Sequence, residues 1–414
     1  MADIQTLILY GSIFISLFFE VFLLITYLEV REELILEKNI DKNIKRFPTV
    51  TVIVPCFNEE KTLTMTMWSL LNLDYPKDKL SIIAVDDGSV DRTLFELNKF
   101  ESYQQVTVLS KENGGKHTAL NLALEKVKSD LVGCLDADSF VNPEALKKIV
   151  PFFEDQSTMA VTPSVKVFEP RSVLQYVQKI EYSWGIFLRR MLSSINALYV
   201  TPGPFSFFRT QVFKELGGYS EGHHTEDLEI ALRMQKHRYK IVNSHGAHVY
   251  TVAPAHFGAL YKQRVRWAYG FLNNAIDYRG MFFNKKYGHI GLFILPIATT
   301  SIFSSLFLFG NMLWNSLVNI FNAFVKFQTV GWEWRFSPPS FDWYFLNTSA
   351  ISFLTVTAIL LTLVILYLST KLADGRFRFS RGLFYYMLLY VFIVPLWLAK
   401  AVFHTIIRRE ISWR

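Results

Sequence analysis

Two carboxylates one residue apart follow a short apolar stretch of this chain. The stretch, residues 131–135, has the length and composition of a buried strand, and Asp136-Ala137-Asp138 ends it. The loop after a strand of a parallel sheet commonly binds a ligand. Asp136 and Asp138 can bind one divalent cation there, Mg²⁺ or Mn²⁺, with phosphate oxygens and water as the other ligands. The alternative is a turn with two solvated aspartates.

Three further polar turns end strand-like stretches earlier in the chain. They are Pro55-Cys56-Phe57-Asn58-Glu59, Asp86-Asp87-Gly88-Ser89 and Asn113-Gly114-Gly115-Lys116. Because the carboxyl ends of parallel strands lie at one edge of a sheet, these turns and the Asp-Ala-Asp motif predict one nucleotide site. Asp86 or Asp87 can accept hydrogen bonds from a base or ribose, and Lys116 can add positive charge near a diphosphate. Each turn alone is a weak signal. The occurrence of all of them at successive strand ends is what indicates a nucleotide site.

The motif Thr225-Glu226-Asp227 opens a predicted helix and follows two histidines. Thr225 can cap that helix, and carboxylates are favoured in a first turn, which explains the residue types without catalysis. The functional interpretation makes Asp227 a general base that deprotonates a sugar hydroxyl, with Glu226 beside it in the catalytic group.

The motif Gln263-Arg264-Val265-Arg266-Trp267 lies in an amphipathic segment rich in aromatic residues. Arg266 can neutralise charge on a departing diphosphate, and Trp267 can stack on the face of a sugar. The alternative is a basic, aromatic helix that lies on a membrane surface.

The segments that position these groups alternate between strand and helix patterns, which predicts a mostly parallel sheet with covered faces. Strands are predicted over residues 49–55, 80–85, 106–109 and 131–135. Helices are predicted over residues 59–71, 116–126, 171–197 and 255–277. The fold class is therefore α/β.

Apolar residues concentrate at the two ends of this chain of 414 residues, which is 51% hydrophobic and carries a net charge of +7. Four stretches are long enough to cross a bilayer: 5–29, 289–313, 345–369 and 383–405. Basic residues follow the first stretch and none precedes it, which predicts an external N-terminus and a cytoplasmic domain. Four spans also predict an external C-terminus, with which Arg408, Arg409 and Arg414 disagree.

These patterns divide the chain into five parts. We expect a transmembrane helix over 1–30, a linker over 31–48 and a cytoplasmic domain over 49–254. An interfacial helix over 255–288 and a transmembrane region of about three helices over 289–414 complete the division. The two cysteines, Cys56 and Cys134, do not indicate a disulfide framework. The basic balance favours membrane lipids and a nucleotide as partners, and no nucleic-acid-binding motif is present.

The ordered motifs resemble those of processive family 2 glycosyltransferases embedded in membranes, the synthases of cellulose, chitin, hyaluronan and poly-N-acetylglucosamine. The motifs that carry the resemblance are Asp86-Asp87-Gly88-Ser89, Asp136-Ala137-Asp138, Thr225-Glu226-Asp227 and Gln263-Arg264-Val265-Arg266-Trp267. The last is the most specific. Within the group, Thr-Glu-Asp followed by Leu228-Glu229-Ile230 most resembles the poly-N-acetylglucosamine synthases.

The resemblance implies a glycosyltransferase-A domain, a fold of nucleotide-diphospho-sugar transferases, with α-helical transmembrane segments. It implies inverting transfer from a UDP-sugar with Mg²⁺ or Mn²⁺, a metal site at Asp138 and Asp136, and Asp227 as the base. Gly203, Pro204 and Trp267 are then expected beside the acceptor. The residues expected around the donor are Pro55, Asn58, Glu59, Asp86, Asp87, Lys116, Asp136, Gln263, Arg266 and Trp267.

Three functions compete at this stage. The first is polymerisation, with a growing polysaccharide as the acceptor. In this hypothesis the chain is a multi-pass protein of the cell membrane. Since the predicted spans are few, a homo-oligomer or an accessory subunit would help to form a channel. The second is transfer of one sugar to a lipid or short acceptor, and the third is nucleotide-sugar binding without catalysis. The complete set of carboxylates argues against the third.

Overall fold

The structure is a computed structural model that describes residues 4–37, 44, 46–331, 349–377 and 380–408. Part of the predicted linker over 31–48 therefore lies outside the described residues, as do Arg409 and Arg414.

One mixed sheet of eight strands lies between the apolar ends of the chain. The strands are β1 Val50–Cys56, β2 Leu80–Asp86, β3 Val106–Ser110, β4 Leu131–Cys134, β5 Ser139–Val141, β6 Thr158–Val167, β7 Phe207–Arg209 and β8 Lys240–Thr251. Their order in space is β3-β2-β1-β4-β7-β6-β8-β5.

The prediction of a mostly parallel sheet holds for one half of this sheet. Strands β1 to β4 are parallel where they pair with one another, and β6 is parallel to β8. In contrast, β7 is antiparallel to β4 and β6, and β5 is antiparallel to β8. The prediction relied on the βαβ alternation of residues 49–135, and the chain beyond Asp138 departs from that alternation.

Twelve α-helices occur in the described residues. They are α1 Ile4–Leu36, α2 Leu63–Leu71, α3 Thr93–Asn98, α4 Lys116–Leu124, α5 Ala145–Ile149, α6 Val173–Ser194, α7 Thr210–Leu216, α8 Glu226–Lys236, α9 Phe257–Asp277, α10 Leu295–Val330, α11 Ala350–Asp374 and α12 Arg381–Ile406.

Helices cover both faces of the sheet, because its central strands are apolar on both sides. In β1, Val52 and Val54 pack into a cluster with Met67 of α2, whereas Ile53 packs into a second cluster with Leu120 of α4. Alternate side chains of a strand point to opposite faces, so this strand is apolar throughout. The two clusters hold the carboxyl ends of β1, β2 and β4 at one edge.

Four helices are long and apolar enough to cross a membrane: α1, α10, α11 and α12, with α10 counted from Ile290. This agrees with the four predicted stretches, although α10 continues to Val330, well beyond the predicted end at 313. Polar contacts join the first three. Thr362 of α11 donates to Glu20 of α1 over 2.6 Å, and Gln5 of α1 donates to Asn311 of α10 over 2.7 Å.

We expect Gly133→Ala to destabilise the domain that contains the sheet. A Cβ at Gly133 would lie 2.6 Å from the buried ring of Phe207, so the strand or the ring must shift. Overpacking of this kind costs about 1–3 kcal/mol. Thermal unfolding in detergent measures the effect, and Gly258→Ala in α9 is the control because its Cβ would meet no atom within 4 Å. Equal melting temperatures for the two variants would contradict the packing argument.

Candidate functional site

The carboxyl ends of the parallel strands bring the predicted turns together. Cys56 of β1 is paired with Asp86 of β2, and Asp86 is paired with Ser110 of β3. Asn58, in a left-handed conformation with φ of 57°, accepts a hydrogen bond from the Val90 amide over 2.9 Å. The turns after β1 and β2 therefore form one connected surface, and Pro55 lies at its base.

Asp87 holds the glycine turn that precedes α4. Its buried carboxylate accepts from the amides of Gly114 and Gly115 over 3.1 and 2.9 Å and from Lys111 over 2.7 Å. Gly115 has a φ of 92°, which a side chain would disfavour. Asp86 is also buried and lies within 3.4 Å of the Ser110 hydroxyl and the Ser89 amide. Contact of either carboxylate with a nucleoside stays a prediction.

Lys116 joins the two acidic motifs. Its ammonium lies 2.7 Å from Asp136 and 2.8 Å from Glu226. Burial disfavours the charged ammonium, but Asp136 and Glu226 outweigh that effect, and the pKa of Lys116 lies well above its ordinary value. Burial alone would raise the pKa of Glu226, but the attraction of Lys116 lowers it. Lys116 and Glu226 are thus a charged pair at neutral pH.

Asp138 lies on the other side of Asp136 and lacks such a partner. No Lys, Arg or His in the described ranges lies within ion-pair distance of its carboxylate, which accepts from the Ser139 hydroxyl over 3.0 Å. Burial, followed by repulsion from Asp136 and Glu59, raises the pKa of Asp138 to about 6. Burial likewise raises the pKa of Glu59. This side of the site carries excess negative charge.

Asp227 follows Glu226 in the first turn of α8 and faces the cavity that Lys116 and Gly203 also line. Burial raises its pKa to about 6, and the adjacent charge of Glu226 acts in the same direction. Lys116 and Arg266 lower it without reversing the shift. Such a carboxylate is ionised at neutral pH and is a better proton acceptor than a solvated aspartate.

Thr225 does not cap α8, which corrects the sequence-based expectation. It occupies the N-cap position, but its side chain makes no capping bond. Instead its hydroxyl donates to the Gly222 carbonyl over 2.8 Å. The three residues before it, Gly222, His223 and His224, have φ values of 54°, 53° and 66°. This left-handed run turns the threonine away from the helix amides.

The segment containing Gly203 and Pro204 lies against the carboxylates. A Cβ at Gly203 would lie 2.8 Å from the Lys116 ammonium and 3.0 Å from Asp136, so a side chain here would displace these two groups. Thr201 holds the segment to α8, because its hydroxyl and amide donate to the Asp227 carbonyl over 2.8 and 3.2 Å. This places the predicted acceptor segment beside the predicted base.

Helix α9 carries Arg266 to the same region, whereas Gln263 of this helix accepts a hydrogen bond from Arg264 over 2.8 Å. Arg266 is close enough to act on the pKa values of Glu226 and Asp227. Trp267 is 37% exposed, and its ring stacks on the guanidinium of Arg264 at 4.1 Å. Arg264 is itself buried and bonds to Glu181 of α6 over 2.8 Å. One face of Trp267 is therefore covered and its orientation is set.

Helix α9 is also fixed to the loop before Asp227. Gly270 packs tightly on Thr225, where a Cβ would lie 2.3 Å from the hydroxyl oxygen. Asn274 donates to the Gly222 carbonyl over 2.8 Å and to the Thr225 hydroxyl over 3.1 Å. The position of Asp227 therefore depends on α9.

Four of these residues were not predicted from the sequence: Lys111, Glu181, Arg264 and Asn274. Arg264 gave one usable signal, since a residue three positions before Trp267 lies on the same helix face. Glu181 and Lys111 lie in distant segments, and no local pattern links them to their partners.

Comparison with known proteins identifies the family and the fold. The model of the family "Glycosyl transferase family 2" matches residues 51–217. Poly-beta-1,6-N-acetyl-D-glucosamine synthase of Staphylococcus aureus is 30% identical over 291 residues, which cover 70% of each protein. The synthase of the same name from Staphylococcus epidermidis is 26% identical over 312 residues, which cover 74% of this chain and 72% of the synthase.

A solved structure resembles the whole chain. It is the mannosyltransferase PcManGT from Pyrobaculum calidifontis in complex with GDP-Man and Mn²⁺, with a TM-score of 0.55. The match covers 94% of this chain and 99% of the other at 17% identity, which supports the fold alone. The fold is thus a glycosyltransferase-A domain with apolar helices.

The chain belongs to the family 2 glycosyltransferases. Within that family it is a membrane transferase of the polysaccharide-synthase type, close to the poly-N-acetylglucosamine synthases.

We expect Arg264→Lys to impair transfer while donor affinity stays within about twofold. Lysine keeps the charge but loses the planar group stacked on Trp267, so the indole is no longer held in place. A cation–π contact of this kind predicts a loss of about tenfold in turnover. Steady-state release of the nucleoside diphosphate and titration with the nucleotide-sugar donor measure the two effects, and Lys262→Arg on the exposed face of α9 is the control. Normal turnover by Arg264→Lys would show that Trp267 needs no such support.

Proposed function

We propose that the chain transfers a hexose or N-acetylhexosamine from a UDP-sugar to a growing β-linked polysaccharide, with inversion, and helps to translocate the product. The observation that carries this proposal is the position of Asp227. Its carboxylate, with a pKa raised to about 6, lines one cavity with Lys116 and Gly203. The proposed base Asp227, the cation Lys116 and the backbone of Gly203 thus line the same cavity.

The donor would lie across the edge formed by Asn58, Asp86, Lys116 and Asp136. The name of the Staphylococcus synthases supports an aminosugar donor, although the pocket residues alone do not select one hexose. Lys116 is placed to leave its carboxylates and bind the diphosphate, since the helix N-terminus behind it also favours negative charge.

Asp136 and Asp138 fit a divalent cation, Mg²⁺ or Mn²⁺. The unpaired negative charge on Asp138 favours one, and carboxylates suit both ions. No cluster of three or more His, Cys, Asp or Glu side chains that could hold an ion exists among the described residues. The phosphates of the donor would therefore complete the set of ligands. When bound, the ion supplies positive charge to the diphosphate.

The chain's own residues then account for the transfer. Asp227 accepts the proton of an acceptor hydroxyl, and the oxygen attacks the anomeric carbon from the face opposite the diphosphate. Lys116, Gln263 and Arg266 bind the departing UDP. Trp267 stacks on the acceptor sugar beside Gly203 and Pro204. An α-linked donor gives a β-linked product.

We also propose the membrane arrangement expected from the sequence, with the catalytic domain in the cytoplasm and the N-terminus outside. The buried carboxylate of Glu37, directly after α1, accepts from the His245 amide over 3.0 Å and lies near Arg190. These contacts anchor α1 to β8 and α6, so the first membrane helix is rigidly joined to the catalytic domain.

UDP release by the purified protein with Mn²⁺ tests the function. The donors are UDP-glucose, UDP-N-acetylglucosamine, UDP-glucuronate and UDP-galactose, and product length is read on a gel. One productive donor with a long product supports polymerisation. Short products alone would replace it with single-sugar transfer, and UDP binding without release would indicate a binding protein.

Asp227→Asn is expected to lower turnover by about 10²- to 10⁴-fold, because the amide cannot accept the proton. Binding of UDP should remain, since Asp227 is not among the metal ligands. Single-turnover kinetics and UDP titration give the two values. Asp74→Asn is the control because this aspartate is exposed and pairs only with Lys147 in the described structure. Near-normal turnover by Asp227→Asn would remove it as the base.

Asp138→Asn is expected to weaken the Mn²⁺-dependent part of UDP binding at least tenfold, because one anionic ligand is lost. Binding of UDP without Mn²⁺ should change little. Calorimetric titration with and without Mn²⁺ separates the two. Equal affinities for wild type and variant in Mn²⁺ would place the ion elsewhere.

The pH dependence of turnover should follow the raised pKa of Asp227. The base must be ionised, so turnover should fall as pH decreases through about 6 and be level above it. Saturating Mn²⁺ keeps Asp138 deprotonated, which leaves Asp227 to determine the acid limb. The profile is measured at saturating donor. A midpoint near pH 4 would show that Asp227 has an ordinary pKa during catalysis.

A further inference from the structure

A cavity of about 590 Å³ lies behind the loop that leads into α8. Two helices line it, with Glu229 and Lys236 on α8 and Tyr269 and Asn274 on α9. The loop itself, residues 220–224, is the third lining segment. Since side chains do not fill this space, the loop depends on polar contacts to stay in place.

The loop has backbone strain at two residues that carry side chains. His223 and His224 have φ values of 53° and 66°, a left-handed conformation that residues with a Cβ adopt rarely. Such a conformation persists only where surrounding contacts impose it. The contacts of this loop therefore determine how the chain enters α8.

One such contact joins the loop to the last residue of α9. Nε2 of His223 lies 2.8 Å from Oδ2 of Asp277, and the imidazole N–H donates because a carboxylate only accepts. The helix dipole repels a carboxylate at the carboxyl end of a helix, so Asp277 is unfavourable there without a partner. The contact thus compensates for two local defects, a strained histidine and an acid at the wrong end of a helix.

The loop fixes the first turn of α8, where the proposed base lies. The Gly222 carbonyl accepts from the amide and the hydroxyl of Thr225 over 3.0 and 2.8 Å. The Thr225 carbonyl accepts from the Leu228 amide over 3.1 Å, and the same amide donates to the Asp227 carboxylate over 2.9 Å. A displacement of the loop is therefore transmitted through Thr225 to the carboxylate of Asp227.

We propose that His223 and Asp277 form a positioning pair that holds the Asp227 carboxylate in place for proton transfer. This role rests on the proposed function, in which Asp227 is the general base. The pair acts through the backbone of the loop and not by contact with the donor or the acceptor. Since the neutral imidazole can donate this bond as the imidazolium does, the pair persists on both sides of neutral pH.

Asp277→Ala tests the pair in the full chain, because it removes the acceptor and leaves the loop sequence unchanged. Turnover should fall about tenfold, the effect of losing one hydrogen bond to a charged group, while the KM for the donor stays within about twofold. The melting temperature should stay the same or rise, since an acid is removed from the carboxyl end of a helix. A lower melting temperature with unchanged turnover per folded molecule would show a purely structural pair and overturn the proposal.

Two variants of His223 separate the contact from the backbone strain. Asparagine tolerates the left-handed conformation but is too short to reach Asp277, so His223→Asn should lose turnover as Asp277→Ala does. His223→Gln places an amide donor near the position of Nε2 and should stay within about threefold of wild type. His256→Asn, at the exposed N-cap of α9, is the control. Normal turnover by His223→Asn would contradict the role of the pair.

Hydrogen–deuterium exchange over residues 221–226 measures the loop independently of catalysis. Exchange should be faster in Asp277→Ala than in wild type, because fewer contacts hold the strained backbone. Equal exchange in the two proteins would overturn the proposal, and so would faster exchange with unchanged turnover. Failure of the proposed function is a separate result, since it would appear as an active Asp227→Asn enzyme while the difference in exchange persisted.

Discussion

The site depends on one ammonium group that serves two carboxylates. Asp136 follows β4 and Glu226 opens α8, and without Lys116 their negative charges would lie close together in a partly buried region. Attraction between opposite charges grows when water is excluded, so the shared cation can hold both motifs in place. The neighbours that Lys116 does not bind directly, Asp138 and Asp227, retain raised pKa values. Under the proposed function, one side chain thus separates the carboxylate for a cation, Asp138, from the carboxylate for a proton, Asp227.

The mixed sheet makes this arrangement possible. Because β1, β2 and β3 are parallel, the turns that follow them lie at one edge of the sheet. The antiparallel strand β7 then runs back beside β4, so that the segment of Gly203 meets Asp136 from the opposite direction. A fully parallel sheet would have placed a crossover helix there. The change of direction brings the Gly203 segment close to Asp136 and Lys116.

Much of the scaffold was predictable because periodicity depends on which residues are buried. The bounds of β1 to β4 and of α6 and α9 agree with the sequence to within about three residues. The convergence of the polar turns followed from the same pattern. Partnerships such as Glu181 with Arg264, or Lys111 with Asp87, depend on how elements pack, and composition does not encode them. Hydropathy likewise identified α12 as an apolar helix, but it gave no information about how α12 packs on α6 and α9.

The left-handed run from Gly222 to His224 has a consequence for what counts as the smallest working unit of this enzyme. Two of its residues bear side chains that disfavour this conformation, so the run persists only while its neighbours impose it. Those neighbours are Asn274, which binds the Gly222 carbonyl, and Asp277, which lies 2.8 Å from His223. A shortened chain that stops after β8 would keep every strand of the sheet and still release the loop. The catalytic domain is therefore complete only when it extends through the end of α9.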